Sequence, residues 1–185
     1  MKSKTKIPFM ALAAALLLLS SSRIFAAYDA FLYINGIQGE AIASGHSNEI
    51  AVLSFSEGVT NPVTIGSGGT TTGTPAFGNL TILKAIDKSS PSLYLACAQG
   101  THISQAVLTL RSQTGGLVEF YRITLTGVYI TSVQTGGSSS GGERPTETVT
   151  LAFQQIQWTY QQVDGNGNSV GPSIQTQFNL SSPTG

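Results

Sequence analysis

The stretch DGNGNS, residues 164–169, sets side-chain oxygens at alternate positions, as a calcium loop does. Asp164, Asn166 and Asn168 fall on the first three ligand spacings. The sixth position needs Gly for the sharp turn and holds Ser169. The twelfth needs a bidentate Glu and holds Gln175. Both failures point instead to a Gly-rich hairpin turn. Two histidines, His46 and His102, are too far apart in sequence to share a metal-ligand spacing. Each reads as a turn or surface residue. Ser47 lies in GHSNE, which lacks the second Gly of a nucleophile elbow. Cys97 is the only cysteine and cannot form an internal disulfide. In the apolar segment SLYLACA it reads as a small buried hydrophobe. No phosphate-binding or dinucleotide fingerprint occurs. The carboxylates are too few and too scattered to nominate an acid–base pair. The chain therefore reads as a non-enzyme that needs no metal or cofactor.

The N-terminus reads as a leader. MKSKTK is basic, IPFMALAAALLLL is an apolar run of 13 residues, and small residues follow. This is the anatomy of a secretory signal peptide over residues 1–26, and the run is short for a membrane span. Cleavage is expected after Ala26, with Ala27 as the neighbouring choice. Residues 27–185 then form the mature domain. Five basic residues face nine acidic ones there, with no basic patch. Nucleic-acid binding by phosphate neutralisation and stable membrane insertion are both disfavoured.

The elements that would carry any function are mostly strands, rich in Thr, Val, Ile and aromatic residues. DAFLYING reads as a strand into a Gly turn, and QGEAIA as a second short strand. NEIAVLSFSEGV (residues 48–59) reads as one strand with a strongly apolar face. NLTILKAID and ISQAVLTLRS read as further strands, the latter with Ala106, Leu108 and Leu110 on one side. SSPSLYLACAQG is the one convincing helix, with Ser89 or Ser90 as cap, Pro91 in the first turn and Gly100 as stop. Leu93, Ala96 and Cys97 share a face at helical spacing. Residues 60–76 combine Gly, Thr and Pro, which argues for a long loop without regular structure. A loop of that length in a compact domain is a candidate contact element.

Two segments change step. In residues 117–134 the apolar positions are Tyr121, Ile123 and Leu125, then Val128 and Ile130, with the switch at Gly127. In PTETVTLAFQQIQWTY they are Val149, Leu151 and Phe153, then Ile156, Trp158 and Tyr160, with the switch at Gln154. Side chains alternate between faces, so each switch exchanges the apolar face. In an antiparallel hairpin over residues 117–163, paired positions have a nearly constant sum. Pairing Val133 with Glu147 places Gly127 almost opposite Gln154. Such a coincidence predicts a bulge or bend at Gln154–Gln155 facing Gly127, where a long ribbon turns a corner. One half would then face the core and the other a second layer or subunit. The fold class is mainly β: a closed or nearly closed antiparallel barrel with one flanking α-helix.

Five ordered segments together resemble one family. AYDAFLYINGIQGEA, EIAVLSFSEGV, LKAIDKSSPSLYLACAQGTHISQAVLTLR, the long hairpin, and NGNSVGPSIQTQFNL look like the successive parts of Hcp, the tube protein of the type VI secretion system. The resemblance implies a phage tail-tube-like β-barrel, a hexameric ring, and rings that stack into a hollow tube able to hold effector proteins. It implies no catalytic residue. It also implies that the loop over residues 60–76 contributes to contacts between stacked rings, a role carried over to Asn61, Pro62, Val63, Thr70, Thr71, Thr72 and Thr74. Partners would be other copies of the chain, effector proteins and other type VI components. The leader departs from the family pattern and implies a periplasmic or extracellular location. An exported protein-binding module with the same barrel is the competing role.

Overall fold

The computed structural model describes residues 28–113, 115–138 and 144–181. The leader and its cleavage site lie outside the described residues. Among the described residues, thirteen strands and one helix follow in order: β1 (Tyr28–Ile34), β2 (Ile50–Ala51), β3 (Ser54–Ser56), β4 (Val59–Thr60), β5 (Val63–Gly66), β6 (Gly69–Thr72), β7 (Ala76–Phe77), β8 (Leu80–Ala85), α1 (Ser90–Gln99), β9 (Ile103–Ser112), β10 (Glu119–Gly136), β11 (Thr146–Ala152), β12 (Gln155–Tyr160) and β13 (Ile174–Asn179).

The antiparallel pairings run β1–β9–β10–β11–β8 and return to β1 through residues 50–56. Two adjacent residues make the return. Val52 N–H donates to Ala30 O in β1 at 2.9 Å, and Leu53 N–H donates to Leu83 O in β8 at 2.8 Å. This corrects the single strand expected over residues 48–59. The chain kinks between Val52 and Leu53 because it must pair with a different neighbour on each side. Ile50 and Val52 point into the core, Leu53 is exposed, and Phe55 packs inward again. The circuit is the antiparallel barrel, and a strand pair, β12–β13, extends from the lower half of β10.

Strand β10 is continuous over 18 residues, whereas its partner is split into β11 and β12 by Phe153 and Gln154. Opposite the split, Gly127 has φ +63°. Gln154 N–H donates to Thr126 O at 3.0 Å, and Leu180 N–H donates to Gln154 O at 2.8 Å. The register above the bend differs from expectation. Val133 pairs with Val149, not Glu147; Thr131, an extra residue bulged out between Ile130 and Ser132, accounts for one of the two positions of this shift. The expected division into core-facing and partner-facing halves is also corrected. Leu125, Val128, Ile130, Leu151, Phe153 and Ile156 all lie in one core. The bend turns the ribbon at the point where the phase changes, so both halves keep facing the same interior.

A side chain at residue 127 meets two obstacles. Its Cβ would lie 2.8 Å from Gln154 Cδ, and the left-handed conformation disfavours it whatever the space. Gly127→Val is expected to lower stability by about 2 kcal/mol in urea unfolding. Adding Gln154→Ala should recover only the steric part.

Other expectations are corrected locally. QGEAIA is no sheet strand: Gly39 and Ala41 N–H donate to Asn48 O and Glu49 O, folding residues 38–49 back on themselves. Ser89 is the N-cap residue of α1, as expected, but its side chain makes no capping bond. Asp87 Oδ1 accepts from Ser89 N–H at 2.9 Å instead. Pro91 lies in the first turn, and Gly100, with φ +61°, ends the helix.

Candidate assembly surfaces

Residues 60–76, expected to lack regular structure, form a β-ribbon. Strand β4 pairs with β7 at its root and β5 with β6 further out. Alternating Thr with Val and Ile satisfies the ladder, and Gly66 and Gly69 close the tip. Asn61 and Pro62 link β4 to β5, Val63 opens β5, Thr70, Thr71 and Thr72 lie in β6, and Thr74 links β6 to β7. Gly73 N–H donates to Pro62 O at 2.8 Å, so the two linkers are also joined. Every residue of β5 and β6 is exposed. Val63 and Ile65 share one face with Thr70 and Thr72, and Ile65 is 81% exposed.

At the root, Phe77 stacks on Phe178 with centroids 4.8 Å apart and lies 6.2 Å from Trp158. Trp158 Nε1–H donates to Glu57 Oε1 at 3.2 Å. Burial, together with the Glu57 charge, pushes the Tyr121 phenol upward. The ribbon thus stands on a fixed aromatic base.

The barrel wall facing away from the core is polar. Cross-strand pairing aligns Tyr33, Val107, Thr124, Gln157 and Gln177 in one row. Arg122 lies in the next row and pairs with Glu119. Strand β13 ends this sheet, and five of its six residues are exposed. Among the described residues no strand pairs with its outer edge, which offers backbone donors and acceptors with no Lys or Pro to blunt it.

The helix is tied to the barrel by buried charge. Lys84 follows Leu80 and Ile82 on the inward phase of β8 and is fully buried. Its Nζ lies 3.1 Å from Glu147 Oε2 and 2.8 Å from Asp87 Oδ1, and donates to Ser90 Oγ at 3.2 Å. Ser90 Oγ–H donates to Glu147 Oε2 at 2.9 Å. Sequence reasoning missed this cluster; the signal was a charged residue on the apolar phase of two strands. Burial works against the Asp87 charge, but the Lys84 ammonium and the Ser89 hydroxyl outweigh it and hold the carboxyl below its ordinary value. A depressed folded-state value stabilises above the ordinary carboxylate range and is lost as pH falls through it. Asp87→Asn is therefore expected to flatten the acid limb of stability, measured by urea unfolding at neutral and at acidic pH.

A second clamp holds residues 38–49. The His46 ring stacks on Phe31 at 4.4 Å, its Nδ1 is 2.9 Å from Glu49 Oε2, and Arg111 lies over the other ring at 5.1 Å. Arg111 Nη2–H donates to Asp29 Oδ2 at 2.8 Å, which with Gln113 keeps the Asp29 carboxyl low. His46 is thus buried, not a surface residue. His102 instead meets Tyr129 edge-on, so the two histidines have separate surroundings. Cys97 is half-buried on α1. Asp164 accepts from Asn168 and Asn166 N–H within its own turn, which lowers its carboxyl, and Val163 bridges to Ser169.

The model of a family described as the type VI secretion system effector Hcp matches residues 31–160. The chain belongs to the Hcp family. Protein hcp1 of Pseudomonas aeruginosa is 39% identical over 156 residues, spanning 83% of this chain and 96% of its own. The solved structure of a type six secretion system protein superposes with a TM-score of 0.81 at 30% identity, covering 85% of this chain and 99% of that one. Hcp1 from Salmonella typhimurium gives 0.69 at 32% identity, covering 84% and 96%. These Hcp proteins match over nearly their whole length, so barrel, helix and bent hairpin all belong to the shared Hcp fold. Among the described residues of this Hcp chain, no helix is long and apolar enough to cross a membrane.

Proposed function

We propose that the chain is the structural subunit of a type VI secretion tube: copies close into a hexameric ring, rings stack, and the bore accommodates effector proteins. The observation that carries this reading is the match to Hcp proteins across almost their full length. Two surfaces agree with it. The free β13 edge can pair with a neighbouring copy, and closed symmetry removes such edges. The exposed ribbon needs a partner, since a two-stranded hairpin alone is marginal in water. Asn61, Pro62, Val63, Thr70, Thr71, Thr72 and Thr74 are its contact residues toward the next ring. Gly127, Gln154 and Gln155 form the corner that shapes the wall. Residues 1–26 act as an export leader, placing the domain from residue 27 onward in the periplasm or outside the cell.

Negative-stain microscopy of the purified chain tests the ring: annular particles are expected, and a field of single small particles at high concentration contradicts it. Fractionation of producing cells, with intact mass of the recovered chain, tests the leader. A chain retained in the cytoplasm with residues 1–26 attached overturns that part.

A further inference from the structure

Residues 38–49 leave the barrel after β1 and fold back against its outward wall. Their backbone bonds are largely internal: Ala41 N–H donates to Glu49 O at 2.9 Å, and Asn48 N–H donates to Ala41 O at 2.8 Å. Side chains must fasten such a loop. Lys88 holds Glu40 and Asn48. Arg111 Nη1–H donates to Ser44 O at 3.0 Å, and a guanidinium keeps its charge throughout the working pH range. The remaining tie is His46.

The His46 ring is 5% exposed and stacks on Phe31. Its two nitrogens face carboxylates on different elements. Nδ1 lies 2.9 Å from Glu49 Oε2 in the loop, and Nε2 lies 3.7 Å from Glu119 Oε1 at the start of β10. A neutral imidazole has one N–H, so it serves one carboxylate and turns a lone pair toward the other. An imidazolium serves both. Among the described residues, the titratable and charged groups around the ring are Glu49 in the loop, Asp29 and Tyr33 in β1, Arg111 in β9, and Glu119 with its partner Arg122 in β10. Three carboxylates against two guanidiniums leave one negative charge, which an imidazolium cancels. Burial and the nearby Arg111 oppose the charge; the two carboxylates at the ring nitrogens favour it. Asp29, held low by Arg111 and Gln113, is lowered further by a charged His46.

We infer that His46 is a proton-operated latch on residues 38–49: doubly protonated it pins the loop between Glu49 and Glu119, and loss of one proton loosens it. A contact made better by the protonated form is strongest at low pH and fades as pH rises. The Arg111 and Lys88 ties remain, so the loop loosens without leaving the barrel. Gly45, His46 and Glu49 share a polar cavity of about 380 Å³ with Tyr33, Val107 and Thr124 of the outward wall. The recess that this wall offers therefore widens as the latch opens. The latch lies within one subunit, so it holds whether or not copies assemble.

Amide hydrogen exchange of the full chain at about pH 5.5 and about pH 8, the span over which histidine ordinarily changes charge, tests the latch. Rates are divided by the chemical exchange rate at each pH, with core amides of β9 as reference. The amides of Ala41, His46, Asn48 and Glu49, each bonded within the loop, should open about fivefold more at the higher pH, the scale on which a hydrogen bond to a charged group exceeds a neutral one. Glu119→Gln should shrink this difference by lowering protection at the acidic pH alone, as a merely structural contact would not. His46→Asn should abolish it, and His102→Gln should leave it intact. Equal protection of the parent loop at both pH values overturns the latch. So does a full difference in Glu119→Gln, or a lost difference in His102→Gln. Should His46→Asn fail to fold, the Glu119→Gln comparison decides.

Discussion

Lys84→Ala is expected to lower the unfolding free energy by about 3–5 kcal/mol, the usual effect of leaving a buried charge without its counterion. Glu147 is 1% exposed and takes its two bonds from Lys84 and Ser90. Without the ammonium its carboxylate stays buried beside one hydroxyl. Asp87 loses its ion pair at the same time, and with it the fixed approach of the chain into α1. The loss should appear as a lower urea midpoint with an unchanged slope, read at fixed protomer concentration because assembly adds to apparent stability. Lys84→Met combined with Glu147→Leu removes both charges and should recover much of the loss. A shift under about 1 kcal/mol for Lys84→Ala would mean the pair is solvated.

Leu125→Ala and Thr124→Ala should differ sharply although the residues are adjacent. Leu125 is fully buried and pairs with Ala106 and Ile156, both also fully buried. Truncation there removes apolar contact and leaves a cavity, for about 2–5 kcal/mol. Thr124 lies on the outward wall between Val107 and Gln157, where substitution typically changes stability by no more than about 0.5 kcal/mol. Thermal or urea unfolding of the two variants reads which face of the wall is core. Equal losses would mean that this wall is packed on both sides within one subunit.

The strand pattern was legible because the period of two is a strong signal wherever one face is buried. Ala106, Leu108 and Leu110 fell on the core face of β9, and the phase changes at Gly127 and Gln154 fell opposite each other. The pattern alone could not say what the bend does with its two apolar faces; only the fold shows both halves meeting one core. The kink at Val52–Leu53 escaped because alternation there looks continuous. It arises from pairing with two different neighbours, which no local pattern records. The ribbon escaped because Gly and Thr suppress every apolar signal, and its strands pair with each other, not with the core. Lys84 and Glu147 escaped because charged residues ordinarily mark solvent. Their phase, in step with Ile82 and Val149, was the evidence against that reading.

Light scattering on the purified chain tests the central claim most directly. The claim predicts a mass near six copies, held across dilution into the micromolar range. A single monodisperse species at the mass of one copy, persisting at high concentration, would contradict it.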